Sequence, residues 1–387
     1  MTSQASTLLG IPLEWYRQMR QGNPVYFDPR FRFWQVFRYD DAIRVLTDPA
    51  TFSSEPAPGS RQPRLPSILG MDEPRHRKLR NIVSTVFTPR ALTQLTPFIT
   101  DVTNKLLDAA VERGEMDVVQ DLAYPLPITV IATMLGVPPD DRAMFQDWST
   151  RLVTGPRHAT TSTEEQAKVA MTLRNYFTVR LDDHRQHPHD DLMTRLIEAE
   201  VDGERLSQEE LLDFCQLLLI AGYETTANLI GNAMVAFEDH PDVVAELRND
   251  PSLMKGAVEE ILRCYPSVAG ATRVAKVAAV VGEQEIEPNQ VVSIHIASAN
   301  YDERQFPDAD RFNIRREPNR HIAFGYGIHF CLGAPLARLE AVVALNLLLE
   351  RLTDIRRIPD RPVNPIRAIF TFGVEHFPVT FRVRSIL

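Results

Sequence analysis

The sequence has little with which to bind nucleic acid, cross a membrane or cross-link itself. Its formal net charge is −9, and an acidic chain lacks the broad lysine and arginine excess that neutralising a phosphate backbone requires. Any basic partner surface must be local. The cysteines are only Cys215, Cys264 and Cys331, far apart in the chain. Such usage fits a reducing compartment with free or ligating thiols rather than a disulfide framework. From Met1 to Gly10 there is no basic stretch followed by an apolar one, so no secretory leader is expected. The longest strongly apolar run, around Leu217 to Ala221, is far short of the roughly 20 residues a membrane helix needs. A cytoplasmic location is therefore expected. Internal repeats and low-complexity linkers are also missing; the nearest candidate, the Pro/Arg/Ser-rich stretch from Glu55 to Pro66, reads as a surface loop.

What is present is a chain of 387 residues, 44% hydrophobic, enough to bury a large core. We read residues 1–387 as one domain, although length alone also allows two. Strand-like pieces are few: Phe33 to Arg38, Val274 to Val281, Gln290 to Ile296 and Val379 to Val383. The rest reads as amphipathic helix punctuated by 28 prolines, so the expected fold class is mainly α with small β-sheets. One helix stands out. Ser207-Gln-Glu-Glu210 forms a capping box that opens a helix running to about Asp239, where His240-Pro241 stops it. Leu211 to Gly222 is apolar on nearly every side, which places that segment in the middle of the protein.

The most informative stretch is Phe324-Gly-Tyr-Gly-Ile-His-Phe-Cys-Leu-Gly-Ala-Pro-Leu-Ala-Arg338. Gly325, Gly327 and Gly333 surround Cys331 and let the backbone turn tightly around the sulfur. Ala334-Pro335 then starts a helix expected to continue through Leu349, with proline in the first turn where its missing donor does no harm. Cys331 thus stands at a helix N-terminus, which favours the thiolate and so metal ligation. A small buried cysteine in a glycine turn is the plain alternative. Zinc held by His329 and Cys331 is another, but no second Cys/His pair lies nearby to complete a tetrahedral site.

These residues resemble the cytochrome P-450 family, whose signature Phe-Gly-x-Gly-x-His-x-Cys-x-Gly is met at every fixed position. The continuation Ala-Pro-Leu-Ala-Arg is similar to that of the soluble bacterial members, and the resemblance extends over essentially the whole chain. It implies haem b between the long central helix and the helix after Cys331, with Cys331 as the iron ligand. A thiolate ligand pushes electron density through the metal and favours O–O cleavage, whereas a histidine ligand supports O2 binding and peroxidase chemistry. Phe324, Gly325 and Gly333 would line the cysteine side and Ala221 the opposite side. Haem propionates need cations or strong donors when buried, and the resemblance puts His76, Arg80, Arg273 and His329 there. Glu260 and Arg263, three apart on one helix, match the family's buried Glu-x-x-Arg pair, with Arg311 as its expected downstream arginine.

On the central helix, small Ala221 and Gly222 would admit a flat cofactor. The Thr225 hydroxyl can compete for the Ala221 carbonyl and locally open the helix ladder. Splitting O2 needs protons on its distal oxygen, and an acid and a hydroxyl can relay them; Glu224 and Thr225 match the family's pair. Tyr223 lines the site or packs outward; the sequence does not decide. The implied activity is insertion of one oxygen atom of O2 into a small lipophilic substrate. Nothing in these residues resembles a flavin or iron–sulfur domain, so the resemblance implies electrons from a separate ferredoxin and its reductase. Arg75, Arg77, Lys78, Arg80 and Arg90, in a stretch without acidic residues, would form its docking face. Arg61 and Arg64 are candidates to meet an acidic group on a substrate. Asp182 to Asp191, rich in His and Asp, reads as a solvated loop rather than a metal site. Two alternatives stand: a peroxide-driven oxygenase on the same fold, against which the Glu224-Thr225 pair counts, and a haem sensor without turnover, against which the lack of a signalling segment counts.

Overall fold

The computed structural model describes residues 7–57, 68–154, 163–366 and 371–384. The fold is mainly helical with small sheets, as expected. Among the described residues no helix is long and apolar enough to cross a membrane.

The central helix runs from Gln208 to Asp239. Its capping box is formed: the Ser207 hydroxyl accepts from Glu210 N–H at 3.3 Å, and Ser207 N–H donates to the Glu210 carboxylate at 2.9 Å. Pro241, which cannot continue it, opens the next helix, Pro241–Asn249. The helix passes through the interior as expected: Leu211, Leu212, Phe214, Cys215 and Leu219 are buried, and the burial continues beyond the apolar segment. Thr226 to Phe237 is buried throughout, whereas Ile220 is 46% exposed and Ala221 is exposed. Around it pack the helices Pro125–Met134, Arg142–Thr154, Thr163–Gln186, Met254–Cys264 and Ala334–Arg351.

A five-stranded sheet flanks this bundle in the order Val25–Asp28, Phe33–Val36, Val291–His295, Gly270–Ala275, Phe52–Ser53. Only the Phe33–Val36 and Val291–His295 pair is parallel. Val36, Phe52, Ala275, Val292 and Ile294 turn into a second core cluster, so one sheet face is buried and the alternation was readable. The expected strand over Val274 to Val281 is in fact two, Gly270–Ala275 and Ala279–Val281. A three-stranded sheet orders Leu352–Arg357, Pro378–Val383 and Glu115–Asp117. Leu352–Arg357 escaped the sequence pattern because its register shifts between Thr353 and Arg356, with Asp354 at φ +49°. A bulge there breaks the period of two.

Candidate active site

The cysteine loop is shaped by its backbone. Cys331 N–H donates to Phe324 O at 2.9 Å, and Phe330 N–H donates to Gly327 O at 3.1 Å. Gly325 and Gly327 sit at φ +71° and +74°, where a side chain is strained. At Gly327 there is also no room, since a Cβ would come within 2.7 Å of Leu46 O. Gly333 has an ordinary φ of −80°, and a Cβ on it would meet nothing within 4 Å. Its smallness therefore keeps a space clear beside the sulfur. The following helix, Ala334–Arg351, carries Pro335 in its first turn.

The expected low pKa of Cys331 is not what the protein alone produces. Burial pushes the thiol above its ordinary value, and the N–H groups of Gly333 and Ala334 and the charges of Arg80 and Arg338 offset this only in part. The donors expected at the helix start are in place, but desolvation of an anion outweighs them. A cation bonded to the sulfur reverses that balance, because coordination removes the thiol proton outright.

Four basic side chains from three elements converge beside the loop. His76 and Arg80 lie one turn apart on the helix Arg75–Ser84, Arg273 lies on the sheet, and His329 is in the cysteine loop. The His76 and His329 rings are 4.1 Å apart. Burial, with His76 and Arg273 as the next causes, pushes His329 down to about 3; burial and Arg80 lower His76. Burial also lowers Arg80 and Arg273. Asp72 opposes the repulsion, but it already accepts from Ser53 Oγ at 2.6 Å and from Ser54 N–H at 2.9 Å. His329 Nε2 is buried without a hydrogen-bond partner. Two arginines and two imidazoles, with Asp72 already committed to other donors and one ring nitrogen orphaned, are a donor set suited to a ligand with more than one carboxylate. Haem fits it.

On the central helix, the Thr225 hydroxyl donates to Ala221 O at 2.7 Å. The helix nevertheless continues unbroken from Gln208 to Asp239, so the expected opening of its ladder is not present; the hydroxyl shares the carbonyl rather than displacing a bond. Gly222 does not face a cofactor either. A Cβ there would meet Ile131 at 2.9 Å, so this glycine brings the central helix close to Pro125–Met134. Tyr223 packs inward against Tyr124, ring centroids 5.3 Å apart. Glu224 and Thr225 are half-buried.

Glu260 and Arg263 are both fully buried and joined by two bonds of 2.8 Å. The downstream arginine is Arg316, not Arg311. Arg316 Nε reaches the Glu260 oxygens at 3.1 and 3.2 Å, whereas Arg311 offers only its carbonyl, to Arg263 at 3.2 Å and to Arg316 at 3.0 Å. The turn Asn313 to Arg316 brings the later arginine back, a path that spacing does not reveal. Asn313 N–H and Asn319 Nδ2 complete the carboxylate's shell at 2.9 and 3.1 Å.

Two acids in this region were not singled out from sequence. Glu259 accepts two bonds from Arg338, at 2.6 and 2.9 Å, and one from His321 at 3.0 Å. Burial works against its charge, but these partners hold its pKa down to about 2. Arg338 also stacks over Phe324, 4.5 Å from its ring centre. The pair thus ties the helix after Cys331 to the Glu-x-x-Arg helix and to the start of the cysteine loop. Glu340, on the same helix as Arg338, is buried with Oε2 unpartnered, and burial pushes its pKa up to about 8. The only sequence signal for it was a glutamate in an otherwise apolar helix face.

Two cations of the basic face expected around Arg75 to Arg90 are paired with acids, while Arg77 stays exposed. Arg75 pairs with Glu210 at 3.3 Å, Lys78 with Glu204 at 2.5 Å, and Arg80 turns to Phe330 O at 2.7 Å. The side chain of Arg90, and all of Arg61 and Arg64, lie outside the described residues. The Asp182 to Asp191 stretch is not a uniformly solvated loop. His184 is buried at the end of Thr163–Gln186, with Nδ1 2.8 Å from Arg180 O and Nε2 2.7 Å from Asp191. Asp183 and His189 lie beside it, but both His184 nitrogens are engaged, so the group lacks the ligand atom that would make it a metal site.

The pattern of the family described as Cytochrome P450 matches residues 32–365. Cyclomarin C epoxidase CymV of Salinispora arenicola is 42% identical over 377 residues, 95% of each chain. The crystal structure of substrate-free CYP109E1 from Bacillus megaterium superposes with a TM-score of 0.93 at 35% identity, covering 97% of this chain and 99% of that one. The same protein in complex with testosterone gives 0.89 at 35% identity, covering 95% and 99%. A cysteine loop of this shape, a buried Glu-x-x-Arg pair and near-complete coverage of such relatives lead to one conclusion: the chain belongs to the cytochrome P450 family and is a P450 monooxygenase.

Proposed function

We propose that this monooxygenase inserts one oxygen atom of O2 into a small lipophilic substrate, by hydroxylation or epoxidation, with electrons from a separate ferredoxin and its reductase. The observation that carries the reading is the convergence of His76, Arg80, Arg273 and His329 beside the Cys331 loop. In this proposal Cys331 ligates the iron of haem b, and those basic groups hold its propionates. Phe324, Gly325 and Gly333 pack on the cysteine side and Ala221 on the other. Bound in this way, haem supplies an iron centre whose thiolate ligand favours O–O cleavage.

The remaining chemistry falls to side chains of this chain. Thr225 holds a hydroxyl proton at Oγ, now directed at Ala221 O, and rotation of χ1 turns it to a distal acceptor. Glu224, one residue earlier and half-buried, resupplies that proton from solvent. The Glu259–Arg338 and Glu260–Arg263–Arg316 networks keep the loop in place and do not react. A substrate of steroid size is in keeping with the testosterone bound by the Bacillus megaterium protein, and epoxidation with the name of the Salinispora protein.

The test is spectroscopic and kinetic. The haem-loaded protein, reduced under carbon monoxide, is expected to show the strongly red-shifted band of a thiolate complex, and its absence would end this reading. Turnover is expected with a surrogate ferredoxin chain. Turnover with peroxide alone would favour the peroxide-driven alternative, and haem binding with no turnover by either route would favour a sensor.

A further inference from the structure

A cavity of about 560 Å³ lies away from the cysteine loop, between the second half of the central helix, the helix Pro241–Asn249, the end of Ala334–Arg351 and the strand Leu352–Arg357. Its floor is apolar. Met234, Phe237, Leu349, Phe377 and Val379 line it, none more than 5% exposed as a residue. Met234 is nine residues after Thr225 on the same helix, a separation of roughly 14 Å along the axis. The volume is that of a small-molecule site.

The rim is charged, and its balance is positive. The acids are committed: Glu238 pairs with Arg357 at 2.9 Å and Asp354 with Arg382 at 3.4 Å. The other cations are not matched by acids. Arg248 gives Nε to Leu349 O at 3.3 Å and Nη2 to Leu352 O at 2.7 Å, both neutral acceptors at the end of a helix. Arg356 is exposed and has no side-chain partner among the described residues. Burial lowers the Arg248 pKa and the nearby charge of Arg384 lowers it further, with Asp354, itself paired with Arg382, offsetting this only in part. An apolar floor under two cations, neither in an ion pair with a carboxylate among the described residues, complements one kind of molecule, an apolar chain ending in an anion.

We propose that this cavity binds an alkyl carboxylate of medium chain length, with its tail on Met234, Phe237 and Leu349 and its head group on Arg356 and Arg248. The site is distinct from the oxygenation site and does not depend on the reading given for it. No bond is made or broken there.

Direct binding tests it. Haem-loaded protein is titrated with undecanoate carrying a terminal dansyl fluorophore, and bound probe is displaced with dodecanoate or with uncharged dodecanol. We expect a component of binding that dodecanoate displaces and dodecanol does not. Arg356→Glu should weaken that component about tenfold or more, the loss expected for a charge-assisted contact. Ala245→Trp, an exposed position on the cavity wall, should abolish it by filling the space. Neither variant should change the substrate-induced shift of haem absorbance, which separates this site from the distal pocket. Equal displacement by dodecanol and dodecanoate, or unchanged probe affinity in both variants, overturns the proposal. So does a dimer in light scattering that Ala245→Trp splits while probe binding is unaffected, since the groove would then be covered by a second copy.

Discussion

Arg316 and Glu260, fifty-six positions apart in the chain, are in contact at 3.1 Å, and the Arg316 side chain is only 8% exposed. Glu260 therefore carries two arginines, Arg263 from its own helix and Arg316 from the turn beyond. Removing one partner of a buried charge leaves the rest uncompensated, at a cost of about 3–5 kcal/mol. Arg316→Ala is expected to lose something near the lower end of that range, because Arg263 remains. Arg311→Ala, which removes an exposed side chain and leaves the carbonyl that is used, should cost under about 0.5 kcal/mol. Chemical denaturation of the two variants decides between them as the structural arginine. Equal destabilisation would mean that Arg316 has been given the wrong role.

The cationic cluster predicts how firmly haem is held. Burial and the charges of Arg80 and Arg273 lower the pKa values of His76 and His329, and burial lowers those of Arg80 and Arg273, so each should gain from a bound anion. Arg273→Met and His76→Leu are each expected to speed haem loss to apomyoglobin about tenfold or more, the scale of one charge-assisted bond. Arg77→Met, on the same helix but exposed, serves as the control and should leave the rate unchanged. Rates that do not move in the first two variants would remove these residues from the haem site.

Much of this site was legible because its chemistry is local in sequence. The loop Phe324 to Arg338 holds the cysteine, the glycines and the helix start within one stretch, and its geometry follows from them. The capping box at Ser207 set the start of the central helix for the same reason. What escaped was set by distance. Arg316 replaced Arg311 because a turn returns the chain to Glu260, and Glu259 found its partners, His321 and Arg338, 62 and 79 residues away. Gly222 was misread because a small residue on a helix says that something comes close without saying what; here it is Ile131.

The Glu259 network predicts a pH window. Its pKa is held down to about 2 against an ordinary 4.5, so the folded state binds its proton less well than the unfolded chain. A depressed carboxyl contributes stability that is complete above the ordinary value and is lost as pH falls from there toward 2. The shift corresponds to at most roughly 3 kcal/mol. Glu259→Gln should therefore be less stable than the parent at neutral pH, with the difference shrinking below pH of about 4 and vanishing near 2. Denaturant midpoints collected across that range measure it. A gap that stays constant down to acid pH would mean that the carboxylate's charge contributes nothing.

Thr225 offers the sharpest test of the proton relay, because its hydroxyl can be removed with little change in shape. Thr225→Val keeps the β-branched form on a helix where the hydroxyl bonds only Ala221 O at 2.7 Å, so folding and haem content should be close to those of the parent. If Oγ carries a proton to the distal side, product formation supported by a ferredoxin chain should fall at least about a hundredfold, the low end for general acid catalysis. Electron uptake does not need that proton in the same way, so NADPH consumption should continue and end as hydrogen peroxide. Thr225→Ser should restore much of the coupling, while turnover driven by added peroxide should be nearly equal in all three proteins. A valine variant that couples electrons to product as well as the parent would show that the proton reaches oxygen by another path.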